Sequence, residues 1–336
     1  MRMNKESKRQ PIRLIKRSEM AKFFKMTEAI DSMAYAFTRL SSGDCYVPKR
    51  YITRSRDESL TFLLKPAFVN NHDKSSIKII TQKNSNSIPG IPTILGIVLL
   101  IDNMTGEILS IMDGAFITAL RTGAASGLAT KHLSRKNSSK LAIFGCGSQG
   151  RTQLKAVNAV RKIEKIWVFD KSRKQAEMFI EEMVSETADI EFTSDRAVLK
   201  DVDIICTATN SEKPLFYKSH LKAGTHINAI GSFQPETQEI DPEIIKSSRI
   251  FLDDKEACVN ESGDLLKAFK DRTLPNDNII GEIGEYLLKK IAGRTSSDET
   301  TIFKSVGNAI QDFEVANRIY NKSLTEKFGE EIRLYE

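Results

Sequence analysis

Apolar residues at Ile30, Met33, Ala34, Ala36, Phe37 and Leu40 recur at helical spacing, which predicts a helix from Thr27 to Leu40 that Ser42-Gly43-Asp44 stops. The rhythm then changes. Tyr46 to Arg54, Leu60 to Val69, Ser76 to Thr81, Ile94 to Asp102 and Ile108 to Met112 read as short strands divided by Asn, Asp, Gly and Pro clusters. Asp102-Asn103-Met104-Thr105-Gly106 reads as a hairpin turn between the last two, so a mostly antiparallel α+β domain is expected here.

An Ala-rich helical stretch begins at Ala124, and after Ser139 β and α patterns alternate. Strands are expected at Leu141 to Phe144, Ile166 to Phe169, Ile190 to Phe192, Asp203 to Thr207, His226 to Ile230 and Ile250 to Leu252. Helices are expected from Gly150 and from Arg173 to Ser185. Such alternation predicts an α/β domain built on a doubly wound parallel sheet. Ala309 to Tyr320 is again helical and is expected to return to the first domain. The division reads as a basic tail over 1–17, a substrate-binding and dimerisation domain over 18–123 completed by about 308–336, and a cofactor domain over 124–307.

The 336 residues carry 50 Lys and Arg against 44 Asp and Glu, a formal charge of +6. That surplus sits in the first 17 residues, where Arg2, Lys5, Lys8, Arg9, Arg13, Lys16 and Arg17 face Glu6 alone. The excess therefore describes a solvated, flexible tail and argues against a nucleic-acid partner. The longest apolar run, about Ile94 to Ile101, is far short of a membrane span. Cys45, Cys146, Cys206 and Cys258 are widely spaced without CxxC, which predicts neither disulfides nor a zinc site and fits a cytoplasmic protein. The four histidines have no metal-ligand spacing either, so no metal is expected.

Leu141 to Phe144 runs straight into Gly145-Cys146-Gly147-Ser148-Gln149-Gly150. In GxGxxG the first glycine permits the tight turn, the second lets a pyrophosphate approach the backbone, and the third lets helix pack on strand. The helix N-terminus then offers free N–H groups and a positive dipole end to the phosphates. A second strand ends at Asp170, whose carboxylate suits an adenosine ribose 2′-OH and favours NAD. Lys171, Ser172 and Arg173 could instead hold a 2′-phosphate, which keeps NADP open. Thr207, Thr209 and Gly231, on later strands of this Rossmann-type sheet, are assigned to the same cofactor site. Glu239 and Asp241 read as helix-start residues, and Asp253-Asp254 as a solvated strand end.

Met112-Asp113-Gly114, Thr118 to Ala125, the Gly145 loop, His226 to Gly231, Glu261-Ser262-Gly263-Asp264 and Phe303-Lys304-Ser305-Val306-Gly307 together resemble the ornithine cyclodeaminase and mu-crystallin family over about residues 26–325. The resemblance implies NAD(P) chemistry at the Cα–N bond of small amino or imino acids, and a homodimer paired through the first domain's sheet. It makes Arg50 and Arg121 clamps for a substrate carboxylate, a task suited to the planar guanidinium. Lys78 resembles the active-site lysine, Thr93 a residue near nicotinamide and substrate, and Ser305 and Gly307 the loop closing over the nicotinamide. Lys78 and Arg121 are thus the candidate catalytic residues.

One departure discriminates within the family. Cyclodeaminases carry a catalytic aspartate two residues before a proline, where this chain has Phe233 in Gly231-Ser232-Phe233-Gln234-Pro235. A phenyl ring cannot transfer a proton, or bind an amino group as a carboxylate would. The pattern is more similar to the ketimine and Δ1-pyrroline-2-carboxylate reductase branch than to ornithine cyclodeaminases or alanine dehydrogenases. A mu-crystallin-like ligand-binding protein is the alternative outside enzymology.

Overall fold

The computed structural model describes residues 10–83, 92, 94–184, 189–269 and 278–334. In chain order the elements are β1 (Ile12–Ile15), α1 (Arg17–Phe23), α2 (Met26–Ser42), β2 (Cys45–Tyr46), β3 (Tyr51–Arg54), β4 (Leu60–Val69), β5 (Lys74–Lys83), β6 (Ile94–Asp102), β7 (Ile108–Asp113) and α3 (Gly114–Leu133). Next come β8 (Lys140–Phe144), α4 (Ser148–Asn158), β9 (Lys165–Phe169), α5 (Arg173–Met183), β10 (Ile190–Phe192), β11 (Ile204–Thr207), β12 (His226–Ala229), α6 (Pro242–Lys246) and β13 (Arg249–Leu252). The chain ends with α7 (Lys255–Glu261), α8 (Gly263–Ala268), β14 (Ile279–Glu282), α9 (Ile283–Leu287), β15 (Thr301–Lys304), α10 (Ala309–Glu326) and β16 (Glu330–Ile332).

Two compact units result: residues 1–25, 44–118 and 312–336, and residues 26–43 with 119–311. The first is a mixed sheet ordered β16-β1-β7-β6-β5-β4-β2, with β3 also on β4; among the described residues only β1 and β7 run parallel. Strict alternation sorts its side chains. Lys65, Ala67, Lys78, Val98 and Met112 share the buried face, while Phe62, Phe68, Leu95 and Ile97 stand on the other, exposed one.

The second unit is an all-parallel sheet ordered β10-β9-β8-β11-β12-β15-β13-β14. Its strands are near-continuous apolar runs because both faces are covered. One core packs Phe144, Phe169, Phe216, Ile227, Leu252 and Ile302; another packs Leu141, Ile143, Val168, Phe179 and Cys206. The strand order reverses at β8, so β8 and β11 flank the switch point where such sheets bind ligands.

Several expectations need correction. The basic tail ends earlier than position 17, because Ile12 and Ile15 are buried and place β1 between β7 and β16. Arg13 donates to Phe328 O (2.9 Å), so its charge is anchored. Helix α2 belongs to the second unit, where Phe37 meets Phe303 edge-on at 6.2 Å. Phe303 and Lys304 form β15, a central strand: Lys304 masked the pattern, and its ammonium is neutralised by Asp264 at 2.9 Å. Helix α4 starts at Ser148, with Gly150 inside its first turn.

Candidate functional site

Within the second unit the glycine loop has the mechanical form expected. Gly145 has φ +99°, and a Cβ there would stand 2.4 Å from Ala208 O across the switch point. A Cβ on Gly150 would stand 2.0 Å from Gly145 O, so the third glycine lets helix lie against loop. Gly147 differs: a Cβ there meets no atom within 4 Å, and as N-cap of α4 it makes no side-chain cap. A cradle therefore lies open beside the N-terminus of α4, where Ser148, Gln149 and Gly150 begin the helix. Gln149 Oε1 is buried there without a partner. These features fit the pyrophosphate of a dinucleotide.

Asp170 follows β9 and is locked in place, one carboxylate oxygen accepting from Cys146 N and the other from Ser172 N, both at 2.8 Å. Ser172 caps α5 by accepting from Gln175 N (3.2 Å), and Lys171 and Arg173 are exposed beside it. Burial, aided by Asp170, pushes the Cys146 thiol up to about 12, so it stays protonated and is no nucleophile.

Thr207, Thr209 and Gly231 are organised by a carboxylate that the sequence reading placed at a helix start. Glu239 is fully buried and accepts from Thr207 Oγ1 (2.7 Å), Thr209 N (2.6 Å), Thr209 Oγ1 (2.7 Å), Gly231 N (2.9 Å) and Ser232 N (3.2 Å). The Thr207 hydroxyl thus donates inside the protein, to Glu239. Burial, and then Asp264, raise the Glu239 pKa, while Lys304 and the two threonines oppose the shift. Asp241 does cap α6 as expected.

Ser305 and Gly307 follow β15. The Ser305 hydroxyl donates to Asp253 (2.7 Å), and Gly307 adopts φ +83° against the Arg121 guanidinium, where a Cβ would stand 2.6 Å from Nη1. Arg121 on α3 is buried and donates through Nη1 to Gln311 Oε1 at 2.9 Å. The structure thereby joins two sequence-predicted pieces, the return loop and the carboxylate clamp. Asp253 itself is buried, contrary to its expected solvation.

In the first unit Lys78 on β5 lies 2.6 Å from Asp312 and donates to Thr118 Oγ1 at 3.0 Å. Lys65 stands directly opposite Lys78 in the sheet register and is also buried, which places two ammonium side chains on one face. Arg50 is half-buried in the segment between β2 and β3. Thr93 lies outside the described residues.

Glu239, Asp253, Gln311, Asp312 and Lys65 were missed by sequence reasoning. A signal existed for Asp312: with Ala309, Phe313 and Ala316 it falls on one helical stripe, where a carboxylate among apolar residues requires a partner. His226 bonds Thr301 Oγ1 (2.9 Å) and Asn228 Oδ1 (3.2 Å), a structural role. Among the described residues no three His, Cys, Asp or Glu side chains are arranged to hold a metal, and no helix is long and apolar enough to cross a membrane.

The sequence profile of the ornithine cyclodeaminase/mu-crystallin family matches residues 12–327. A Δ1-pyrroline-2-carboxylate reductase of Bacillus cereus is 35% identical over 323 residues, covering 95% of this chain and 99% of that protein. An alanine dehydrogenase of Archaeoglobus fulgidus is 31% identical over 96% of this chain and 98% of that one. The structure of Thermococcus litoralis Δ1-pyrroline-2-carboxylate reductase, in complex with NADH and L-proline, superposes with a TM-score of 0.88 at 36% identity, covering 95% of this chain and 99% of that chain.

Proposed function

Because the chain belongs to the ornithine cyclodeaminase/mu-crystallin family, we propose that it is an NAD(P)H-dependent reductase of small cyclic α-imino acids, converting Δ1-pyrroline-2-carboxylate to proline. The observation that carries the choice of reaction is Phe233. Its ring is 45% exposed just beyond β12, where a cyclodeaminase needs a carboxylate, and Glu239, a carboxylate further along the same segment, is turned inward onto backbone donors. A cyclic imine has no amino group to release, so a site without that carboxylate suits it. The reductase names of the Bacillus and Thermococcus relatives support the same reading.

Reduction of the C=N bond takes up one hydride at carbon and one proton at nitrogen, and NAD(P)H supplies the hydride when bound. Arg121 and Arg50 hold the carboxylate and fix the α-carbon. Lys78 holds the proton that the ring nitrogen receives, with Asp312 paired to its ammonium and Thr118 fixing its direction. Asp170, firmly held beside the glycine loop, favours NADH over NADPH.

The partner is a second copy of the chain. Tyr46, Tyr51, Phe62, Phe68, Leu95 and Ile97 leave one face of the first unit's sheet apolar and exposed, a surface that pairing would cover. Four cysteines widely spaced in sequence, without a CxxC pair, fit a reducing cytoplasm.

The test is direct. Purified protein with NADH or NADPH is expected to lose absorbance at the reduced nicotinamide band on addition of the imine, with proline as product. Release of ammonia from ornithine, or NADH formation from alanine with no imine reduction, overturns the reading in favour of a cyclodeaminase or a dehydrogenase. Tight NADH binding with no turnover of any of these favours a binding protein.

A further inference from the structure

Asp253 is the first residue past β13 and is 1% exposed. Its Oδ2 accepts from Ser305 Oγ (2.7 Å), Gly307 N (2.8 Å), Val306 N (3.2 Å) and Gln311 Nε2 (3.2 Å). Its Oδ1 accepts from Val306 N (3.3 Å) and Cys258 Sγ (3.2 Å). A fully desolvated carboxylate surrounded by donors fixes those donors, because losing any of them leaves charge uncompensated. The turn from Ser305 to Gly307 is therefore wrapped around one side chain.

The same carboxylate reaches the substrate clamp through one amide. Gln311 donates Nε2 to Asp253 and accepts at Oε1 from Arg121 Nη1 (2.9 Å). Its orientation is dictated by these partners, since a flipped amide would aim its oxygen at a carboxylate and its N–H groups at a guanidinium. Gly307, held by Asp253 from one side, meets that guanidinium from the other.

We propose that Asp253 is a positioning residue that aligns the Ser305–Gly307 turn and the Arg121 guanidinium together, so that one buried carboxylate sets the cofactor's seat and the substrate's carboxylate grip. The inference rests on the reading that Arg121 binds the substrate carboxylate and that the turn faces the nicotinamide. Asp253 touches neither ligand; it acts through Ser305, Gly307 and Gln311.

The experiment compares Asp253→Asn, Gln311→Met and the double variant as full chains. It measures the NADH Kd by fluorescence, the L-proline Kd on the NAD-loaded protein by calorimetry, and kcat and KM for the imine. Asp253→Asn is expected to weaken NADH and raise the imine KM, each by about fivefold or more, as loss of a shared anchor would. Gln311→Met is expected to raise the imine KM and the L-proline Kd by a similar factor of about five while leaving the NADH Kd within about twofold. The double variant is expected to match Asp253→Asn, because both changes cut one chain of contacts. Lowered thermal stability with unchanged ligand constants, or independent, multiplying effects, overturns the proposal. If Asp253→Asn does not fold, Ser305→Ala and Gln311→Met test the two arms, and unchanged constants in either overturn it. An inactive wild type refutes the imine as substrate, while the NADH and L-proline constants still decide the role of Asp253. A wild type that is inactive and binds no L-proline overturns both.

Discussion

The Lys78 ammonium and the Asp312 carboxylate lie 2.6 Å apart, each 1% exposed. Each charge compensates the other where either alone would be costly to bury. Replacing Lys78 by Met is expected to lower kcat for imine reduction by about 10²- to 10³-fold, the range of one lost proton donor, with NADH affinity retained. Asp312→Asn is expected to destabilise the protein by about 3–5 kcal/mol in urea unfolding, the cost of stranding one buried ion. A Lys78→Met enzyme with wild-type kcat excludes the lysine as proton donor.

The three loop glycines should fail differently. Gly147→Ala is expected to change stability by no more than about 0.5 kcal/mol, since its Cβ meets nothing within 4 Å, yet to raise the NADH Kd about tenfold or more. Gly145→Ala and Gly150→Ala are expected to lower the melting temperature, because their Cβ atoms would meet backbone oxygens at 2.4 and 2.0 Å. Equal loss of stability in all three would refute an open cradle at Gly147.

For Arg121, lysine is not a conservative exchange. Arg121→Lys keeps the charge but loses the planar fork, so the imine KM is expected to rise about 10- to 100-fold while the NADH Kd stays near wild type. Steady-state kinetics with both ligands varied reads this out.

Phe68 stands exposed on β4 and stacks with Tyr46 at a centroid distance of 6.3 Å. Phe68→Glu would bury a charge in a paired face, so light scattering is expected to give the mass of one chain for the variant and of two for the wild type. A monomeric wild type removes the dimer from the reading.

Burial, with Arg294 next, lowers the His226 pKa to about 3. The native pKa lies below the unfolded one of 6.5, so between these values the unfolded chain binds a proton that the native protein refuses. This contribution is fully present above pH 6.5 and is lost as pH falls towards 3. His226→Gln is expected to be less stable at pH 7 but to lose stability less steeply between pH 6.5 and 4 in paired thermal melts. Parallel slopes would rule His226 out as a source of acid sensitivity.

Local rules determined much of this protein. Apolar runs bounded by Asn, Asp, Gly and Pro clusters placed β4 and β6 at their observed bounds, and the strand-to-GxGxxG junction located the loop after β8, because both depend on residues adjacent in sequence. The family motifs pointed to Lys78 and Arg121 without knowing what surrounds them. Only the tertiary structure decided which buried carboxylate meets which partner. Asp312 is 234 residues from Lys78, and Glu239 lies 32 residues beyond Thr207, so no spacing announces either pair. Asp253 looked like an ordinary strand end until β15 was seen to run beside β13 and to bring the Ser305–Gly307 turn onto it. The basic start of the chain read as a tail because charge dominates its composition, whereas two apolar side chains, Ile12 and Ile15, were enough to insert it between two strands. A sequence displays which groups are charged. Which of them are desolvated, and against what, depends on the packing of distant segments.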